Sequence, residues 1–245
     1  MDYRKYQLSK LDLWIVFVST VVGCLVIGLL FYRSLWSFLL FPIVFVVFCK
    51  RIRTERCTKR KEELQEQFIN GMRVLSTSLQ AGFSMENAWR EVQKETYYMY
   101  GENAYFFKEV KEMNHLVSLN IPIERLVMEF SQRSGVDDIM RFAEIFSYGK
   151  RSGGNWKKII DTTVFRMCEK YDAQKEIAVM VAGKKMEQQV MNLLPLGIMA
   201  FLQLSAWDYM KVLFHNLLGV AFMTLCLLGY LGAILLSEKI LQIKV

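Results

Sequence analysis

The chain has 245 residues, of which 53% are hydrophobic, and it carries a formal net charge of +7. Residues 50–61 contain seven basic residues and one acidic residue, whereas residues 62–189 contain 17 basic and 19 acidic residues. The basic excess is therefore confined to one short stretch, which argues against an extended nucleic-acid footprint. The sequence has only three prolines and no sustained alternation of apolar and polar residues, so we predict an all-α fold.

Two uncharged runs lie near the start of the chain, at residues 13–32 and 34–49. A helix of about 20 apolar residues is long enough to cross the hydrocarbon core of a bilayer. A signal peptide is the alternative, but the first run is too long for one and no small-x-small cleavage site precedes Arg33. We predict an N-terminal transmembrane hairpin within residues 1–49.

A basic juxtamembrane segment follows at residues 50–61. Lys and Arg are enriched on the cytoplasmic side of membrane spans, and each attracts acidic lipids by about 1 kcal/mol near the surface. A nuclear-targeting or nucleic-acid patch is the alternative from charge alone, but the position directly after an apolar hairpin favours a topology signal. The candidate membrane-surface residues are Lys50, Arg51, Arg53, Arg56, Lys59, Arg60 and Lys61.

A tight corner is predicted between the first two helices of residues 62–189. Gly82 ends the first helix, because glycine adopts the left-handed conformation without steric cost. Ser84 is a natural N-cap for the second helix, and Glu86 lies in its first turn, where negative charge is favourable. The first helix, over about residues 61–81, is predicted from an apolar row at helical spacing: Leu64, Phe68, Met72, Leu75 and Leu79.

Apolar spacing and helix-breaking residues predict the secondary structure in the middle of residues 62–189. After a second helix over residues 84–95, we expect a loop over residues 96–104 and a third helix over about residues 105–119. Asn120 is expected to cap the end of that helix, and Pro122 suits the first turn of the next one.

The last two helices of this segment are separated by a glycine pair. Gly135 precedes a helix over about residues 136–151, and Gly153 and Gly154 break the pattern after it. Asn155 is a good N-cap for a final helix that nothing clearly ends before about Pro195. A rigid helix of that kind, about 60 Å long at 1.5 Å per residue, would couple the segment mechanically to membrane spans, which is a hypothesis.

Two further uncharged runs, residues 190–207 and 212–237, bring the number of predicted transmembrane helices to four. The basic segment then places both termini and residues 50–189 on the cytoplasmic side. The expected organisation is an N-terminal transmembrane hairpin (residues 1–49), the basic segment (50–61), a cytoplasmic antiparallel helical bundle (62–189) and a C-terminal transmembrane hairpin with a tail (190–245).

No motif in the sequence indicates catalysis, a cofactor or a metal. Gly149-Lys150 lacks the preceding glycine of a phosphate-binding loop, and no nucleophile elbow, zinc-type helix motif or Cys–His arrangement occurs. Gly153-Gly154-Asn155 as a phosphate cradle is the alternative to a helix corner. Asp137-Asp138 as a metal or catalytic pair is the alternative to favourable charge at a helix start. We predict a protein that is not an enzyme and that binds no cofactor.

The order of four motifs resembles the type II secretion F domain. The motifs are LxxxLQAGFSMENAW (75–89), a proline-started helix (122–133), GKRSGGNWKKIIDTTVFRMCEKY (149–171) and KKMEQQVMNLLP (184–195). The form most similar is the tight-adherence (Flp pilus) assembly protein B family, in which two spans precede the F domain and two follow it. The resemblance covers roughly residues 60–245. The chain departs from the family at Asn70-Gly71, where Pro-Asp is frequent, and at Trp156, where Leu is usual.

The resemblance implies a platform protein in the bacterial inner membrane, without catalytic activity, that couples a cytoplasmic assembly ATPase to pilin insertion or extraction. The implied partners are that ATPase, pilin, a second F-domain platform protein or another copy of this chain, and membrane lipids, with no nucleic acid. By position, Gly82, Gly153, Gly154 and Pro195 would be structural turns or hinges.

Two other classes of protein are alternatives to a platform protein. The permease subunit of a transporter is the main alternative, but transporters usually place polar residues at the bilayer midplane, where these four runs are apolar. A membrane-bound enzyme would need a cluster of acids, His or Cys at the cytoplasmic face, and none is visible.

Overall fold

The computed structural model describes residues 3, 10–29, 41–151, 156–205 and 217–241. Every regular element within these ranges is helical, which confirms the all-α prediction for the described part. The helices are α1 (Lys10–Ile27), α2 (Phe41–Gln80), α3 (Met85–Tyr100), α4 (Tyr105–Ser118), α5 (Ile123–Ser134), α6 (Asp137–Arg151), α7 (Trp156–Ser205) and α8 (Leu217–Leu241). The chain divides into two compact units, residues 1–7 with 53–173, and residues 8–52 with 174–245.

The first unit is organised around the apolar row of α2. The five residues predicted to form this row are all buried, which confirms its spacing as that of one helix face: Leu64, Phe68, Met72, Leu75 and Leu79. Within the unit, α3 packs on α4, α4 on α5, and α5 on α6. Each of these short helices presents one apolar face to the core and a polar face to solvent, as amphipathic helices of globular domains do.

Aromatic rings fill the centre of this core. Phe68 of α2 meets Phe106 at 5.3 Å between ring centroids and Phe142 at 5.5 Å, both edge to face. Phe106 also lies 6.0 Å from Phe130. Such arrangements stabilise beyond area burial, because the positive edge of one ring approaches the negative face of the next. One ring from each of α2, α4, α5 and α6 thus joins four helices at one point.

Polar side chains fix α7 against α2 within the first unit. Ser76 Oγ and Gln80 Nε2 both donate to Asp161 Oδ1 at 2.6 Å. Arg73 Nη2 donates to both carboxylate oxygens of Asp172, at 2.8 and 3.0 Å. These bonds recur along the two helices, so they set the axial position of one helix relative to the other.

Four helix boundaries differ from the sequence prediction. The first helix of the predicted bundle, expected over about residues 61–81, begins at Phe41, so α2 also contains the basic segment. The expected loop over residues 96–104 is wrong in its first half, since α3 continues to Tyr100 and ends at Gly101, which has φ 78°. Pro122 is the N-cap of α5 rather than a residue of its first turn. The final helix continues past Pro195 for ten further residues, to Ser205.

The second unit contains α1, α8, the start of α2 and the end of α7. The Tyr230 hydroxyl donates to the backbone oxygen of Asn192 at 2.6 Å, and Gln203 Nε2 donates to the backbone oxygen of Leu29 at 3.2 Å. Many of its apolar side chains are exposed, among them Trp14 and Leu204, which are 70% and 87% accessible. Within the described ranges, no helix combines the length and the apolar character that crossing a membrane requires.

Candidate functional site

The predicted corner between α2 and α3 has the expected geometry. Gly82 has φ 91°, a conformation that favours glycine. Ser84 is the N-cap of α3, and its Oγ accepts a hydrogen bond from the backbone N–H of Asn87 at 3.3 Å. The start of α3 and the turn between α4 and α5 line a cavity of about 280 Å3.

The other predicted turn positions divide into two groups. Gly153, Gly154 and Asn155 lie outside the described residues. Pro195 lies inside α7, whose helical assignment continues on both sides of it. The hinge role that the family resemblance implies for these positions therefore stays a prediction.

The basic segment is part of α2, and its side chains are not equivalent. Lys50, Arg51, Arg53, Arg56 and Lys59 are exposed, as a membrane-surface role requires. Lys59 pairs with Glu55 at 3.2 Å. Lys61 is half-buried.

Arg60 departs from the rest of this segment. Its guanidinium carbon lies 4.7 Å from the ring centroid of Tyr3 and 5.1 Å from that of Tyr105. Cations attract the negative faces of aromatic rings. Since its Nε and Nη2 atoms are buried, the predicted lipid-facing role of Arg60 does not fit its position.

Tyr3 belongs to a buried polar cluster that the sequence did not indicate. Its hydroxyl donates to Glu109 Oε1 at 3.0 Å, and Arg133 Nη2 donates to Glu109 Oε2 at 2.8 Å. The Tyr3 backbone N–H donates to the backbone oxygen of Arg133 at 3.2 Å. Burial raises the pKa of the Tyr3 hydroxyl, and the adjacent Glu109 carboxylate raises it further. The cluster secures Tyr3 to the first unit.

A groove of about 610 Å3 lies between α6 and α7 within the first unit. Its apolar lining includes Ile145 and Ile159, which are 38% and 40% exposed. Exposed aliphatic side chains side by side are a feature of surfaces that bind other molecules. Among the described residues, the lining comprises Asp138, Arg141, Phe142, Ile145, Lys158, Ile159, Thr162, Thr163, Arg166, Met167 and Lys170.

The charges of this groove are strongly unbalanced. Asp138, the one acidic residue among the described lining residues, accepts from Lys170 Nζ at 2.6 Å and from Gln65 Nε2 at 2.8 Å, so both carboxylate oxygens are engaged. Arg141, Lys158 and Arg166 also line the groove, and their side chains have no ion-pair partner in the part of the chain that the structure describes. The groove thus presents three uncompensated positive charges next to an apolar surface.

The sequence prediction missed this groove, although part of its signal was available. Lys158, Thr162, Arg166 and Lys170 recur at intervals of four, which places them on one side of α7. The apposition of α6 to this side of α7 depends on how the helices pack, which the spacing does not determine.

Asp137 and Asp138 lie in the first turn of α6, as predicted. The contacts of Asp138 with Lys170 and Gln65 give it a structural role at this helix start. Among the residues the structure describes, no group of three or more His, Cys, Asp or Glu residues is arranged to hold a metal ion.

Comparisons of this chain with models of known families, with characterised proteins and with solved structures find no match.

Proposed function

We propose that this protein is a platform protein of a bacterial pilus or secretion machine, related to the type II secretion F domain. In this proposal it sits in the cytoplasmic membrane and couples an assembly ATPase to the insertion or extraction of pilin. It carries no catalytic activity of its own. Its other partners are lipids and either a second F-domain protein or another copy of this chain.

The observation that carries the proposal is the order of the two units along the chain. A helical unit with a closed aromatic core is formed mainly by residues 53–173, and the segments before and after it form the second unit. An F-type bundle inserted between two membrane hairpins would have this order. The four-motif resemblance in residues 75–195 supports the same reading.

Exposed apolar side chains support a membrane location for the second unit. Side chains such as Phe201, Leu204 and Leu225 are 65%, 87% and 69% exposed. Surfaces of that kind bind lipid or protein, because their contact with water is unfavourable. Each of the four uncharged runs extends into residues outside the described ranges, so the proposed spans are longer than their described parts.

The basic segment supports the proposed orientation. Exposed Lys50, Arg51, Arg53 and Arg56 directly follow the second uncharged run. Positive side chains at that position favour the cytoplasmic side and attract anionic lipids. The first unit, which follows in the chain, would then lie where an ATPase reaches it.

Crosslinking in the native cell tests the proposal. A photoactivatable residue is placed at an exposed position of the first unit, such as Arg90, in the full-length protein, and the attached proteins are identified by mass spectrometry. We expect an assembly ATPase of the secretion type, with pilin or a second platform protein. Recovery of a nucleotide-binding transport subunit without any pilus component would instead establish the permease alternative.

A control measurement addresses the membrane itself. After washing of the membranes at high pH, the full-length protein is expected to stay in the membrane fraction. Its release into the wash would contradict the proposed spans.

A further inference from the structure

The groove between α6 and α7 has the dimensions of a helix-binding site. Its lining runs along α7 from Lys158 to Lys170, which is about 18 Å at 1.5 Å per residue. Helices pack with their axes about 8–10 Å apart, with side chains of one between those of the other. A helix of about three turns would cover the exposed Ile145 and Ile159 along this length.

The donors that the groove offers are mainly charged. The hydroxyls of Thr162 and Thr163 donate to backbone oxygens one turn earlier in α7, at 2.8 and 2.7 Å, so their protons are not available to a ligand. The remaining donors include the guanidinium groups of Arg141 and Arg166 and the ammonium group of Lys158. These groups form their strongest hydrogen bonds with carboxylate or phosphate oxygens.

The spacing of the charges suits carboxylates on a helix. Lys158 and Arg166 are separated by eight residues of α7, which corresponds to about 12 Å. Acidic residues two turns apart on a second helix have nearly the same separation. We propose that this groove receives an acidic amphipathic helix of a cytoplasmic partner, with the carboxylates of that helix on the basic side chains and its apolar residues on Ile145 and Ile159.

A protein helix fits the groove better than a polyanionic surface does. The exposed apolar residues Ile145 and Ile159 are aliphatic, and the Phe142 ring of the lining is buried, whereas single-stranded nucleic acids stack their bases on aromatic rings. The lining combines the basic residues with exposed Ile145 and Ile159 and with Asp138, whereas a helix that binds a membrane surface has a polar face rich in Lys and Arg. The identity of the partner as the assembly ATPase rests on the proposed function, whereas the chemistry of the occupant rests on the groove.

A defined peptide tests the chemistry of the site directly. The probe is a helical peptide of about 18 residues, or five turns, with Glu along one side and Leu beside it. Its control has Gln in place of every Glu. Binding to the full-length protein is measured by fluorescence anisotropy. We expect the acidic peptide to bind about tenfold more tightly than the Gln peptide, with the difference decreasing at high salt.

Charge-reversal variants locate the binding. The double variant Arg141→Glu with Arg166→Glu is expected to weaken binding of the acidic peptide by about tenfold or more. Lys158→Glu should weaken it as well, whereas Lys157→Glu, one residue earlier and outside the groove lining, should change it by less than about twofold. Arg90→Glu on α3 is a second matched control. Hydrogen exchange of the variants establishes that the first unit stays folded.

Three outcomes would overturn the proposal. One is equal weakening by Lys157→Glu and Lys158→Glu, and another is equal binding of the acidic and Gln peptides. The third is groove-dependent binding only to phosphatidylglycerol vesicles or to single-stranded RNA, offered as separate probes.

The crosslinking experiment separates this proposal from the proposed function. If crosslinking recovers the ATPase but the groove variants bind the peptide normally, the groove assignment is wrong and the platform function stands. If the groove binds the peptide as expected but no pilus component is recovered, the platform function is wrong and the groove assignment stands.

Discussion

The two units use their apolar residues in opposite ways. In the first unit, amphipathic helices direct their apolar residues inward, and Phe68, Phe106 and Phe142 are at most 1% exposed. In the second unit, α8 has apolar residues on every side, and Leu225 and Leu228 are 69% and 68% exposed. The two units therefore differ in where their apolar residues lie. The first unit buries them in its own core, whereas the second leaves a large apolar surface exposed.

Removal of a large ring should produce the largest contrast between the units. Phe68→Ala leaves a cavity where rings from α4, α5 and α6 meet, and should lower the free energy of unfolding of the first unit by about 3–5 kcal/mol. Phe201→Ala removes a ring that is 65% exposed, and should leave that free energy unchanged within about 0.5 kcal/mol. Hydrogen exchange of amides in α3 to α6 of the full-length protein measures both. Equal effects would contradict the contrast.

Substitutions of two helical glycines, one in each unit, test the same contrast with a smaller expected effect. A Cβ at Gly71 would collide with Cε1 of the buried Phe106 ring, whereas a Cβ at Gly183 meets nothing within 4 Å. Because Phe106 is held by neighbouring rings, Gly71→Ala should destabilise the first unit by about 1–3 kcal/mol. Gly183→Ala should stabilise α7 by up to about 1 kcal/mol, since alanine favours helix.

Hydrogen exchange of the amides around each glycine measures the effect of each substitution on local stability separately. Unchanged exchange around Gly71→Ala would mean that the Phe106 ring moves aside without cost.

The sequence predicted the helices best where local signals determine them. Gly135 ends α5 in the left-handed conformation, and Asn120, the one described residue other than glycine with positive φ, follows α4. Both backbone conformations are determined by the residue itself and its immediate neighbours in the chain. The corresponding boundaries were therefore predicted within a few residues.

The prediction was wrong where contacts between residues far apart in the sequence determine the structure. The polar-aromatic sequence after residue 95 suggested a loop, but Thr96 is buried and Tyr97 lies 5.5 Å from Phe107 between ring centroids. Asn70 Nδ2 also donates to the Tyr100 hydroxyl at 2.5 Å. These contacts stabilise the last turns of α3, which propensity alone did not favour. The groove and the Tyr3 cluster were missed for the same reason, since each joins residues far apart in the sequence.

Tyr3 provides a test that depends on pH. Tyr3→Phe removes a buried hydrogen bond to the Glu109 carboxylate, and should cost about 1.5 kcal/mol at neutral pH. The pKa of Tyr3 is raised in the folded protein, so above about pH 10 the unfolded chain releases this proton while the folded chain keeps it. The stabilisation is therefore complete below about pH 10 and decreases as the pH rises further.

Urea unfolding of the full chain at pH 9 and pH 11, followed by circular dichroism, measures this effect. The difference between the natural protein and Tyr3→Phe should be smaller at pH 11. The matched control is Tyr98→Phe, at a side chain that is 69% exposed. If Tyr98→Phe shows the same pH dependence, the effect does not come from the Tyr3 cluster.

The smallest expected effect concerns the corner at which α3 begins. Ser84→Ala removes the side-chain acceptor for the Asn87 N–H, and should destabilise the start of α3 by about 1 kcal/mol. Ser84→Asp keeps an acceptor and adds a negative charge at a helix N-terminus, so it should restore the loss. Hydrogen exchange of Met85, Glu86 and Asn87 measures the local change. Because Phe68→Ala acts on the whole core, its effect should reach every helix of the first unit, whereas the loss in Ser84→Ala should stay within the first turn of α3. A loss in Ser84→Ala that spreads to α5 would mean that the corner, and not only the aromatic core, holds the unit together.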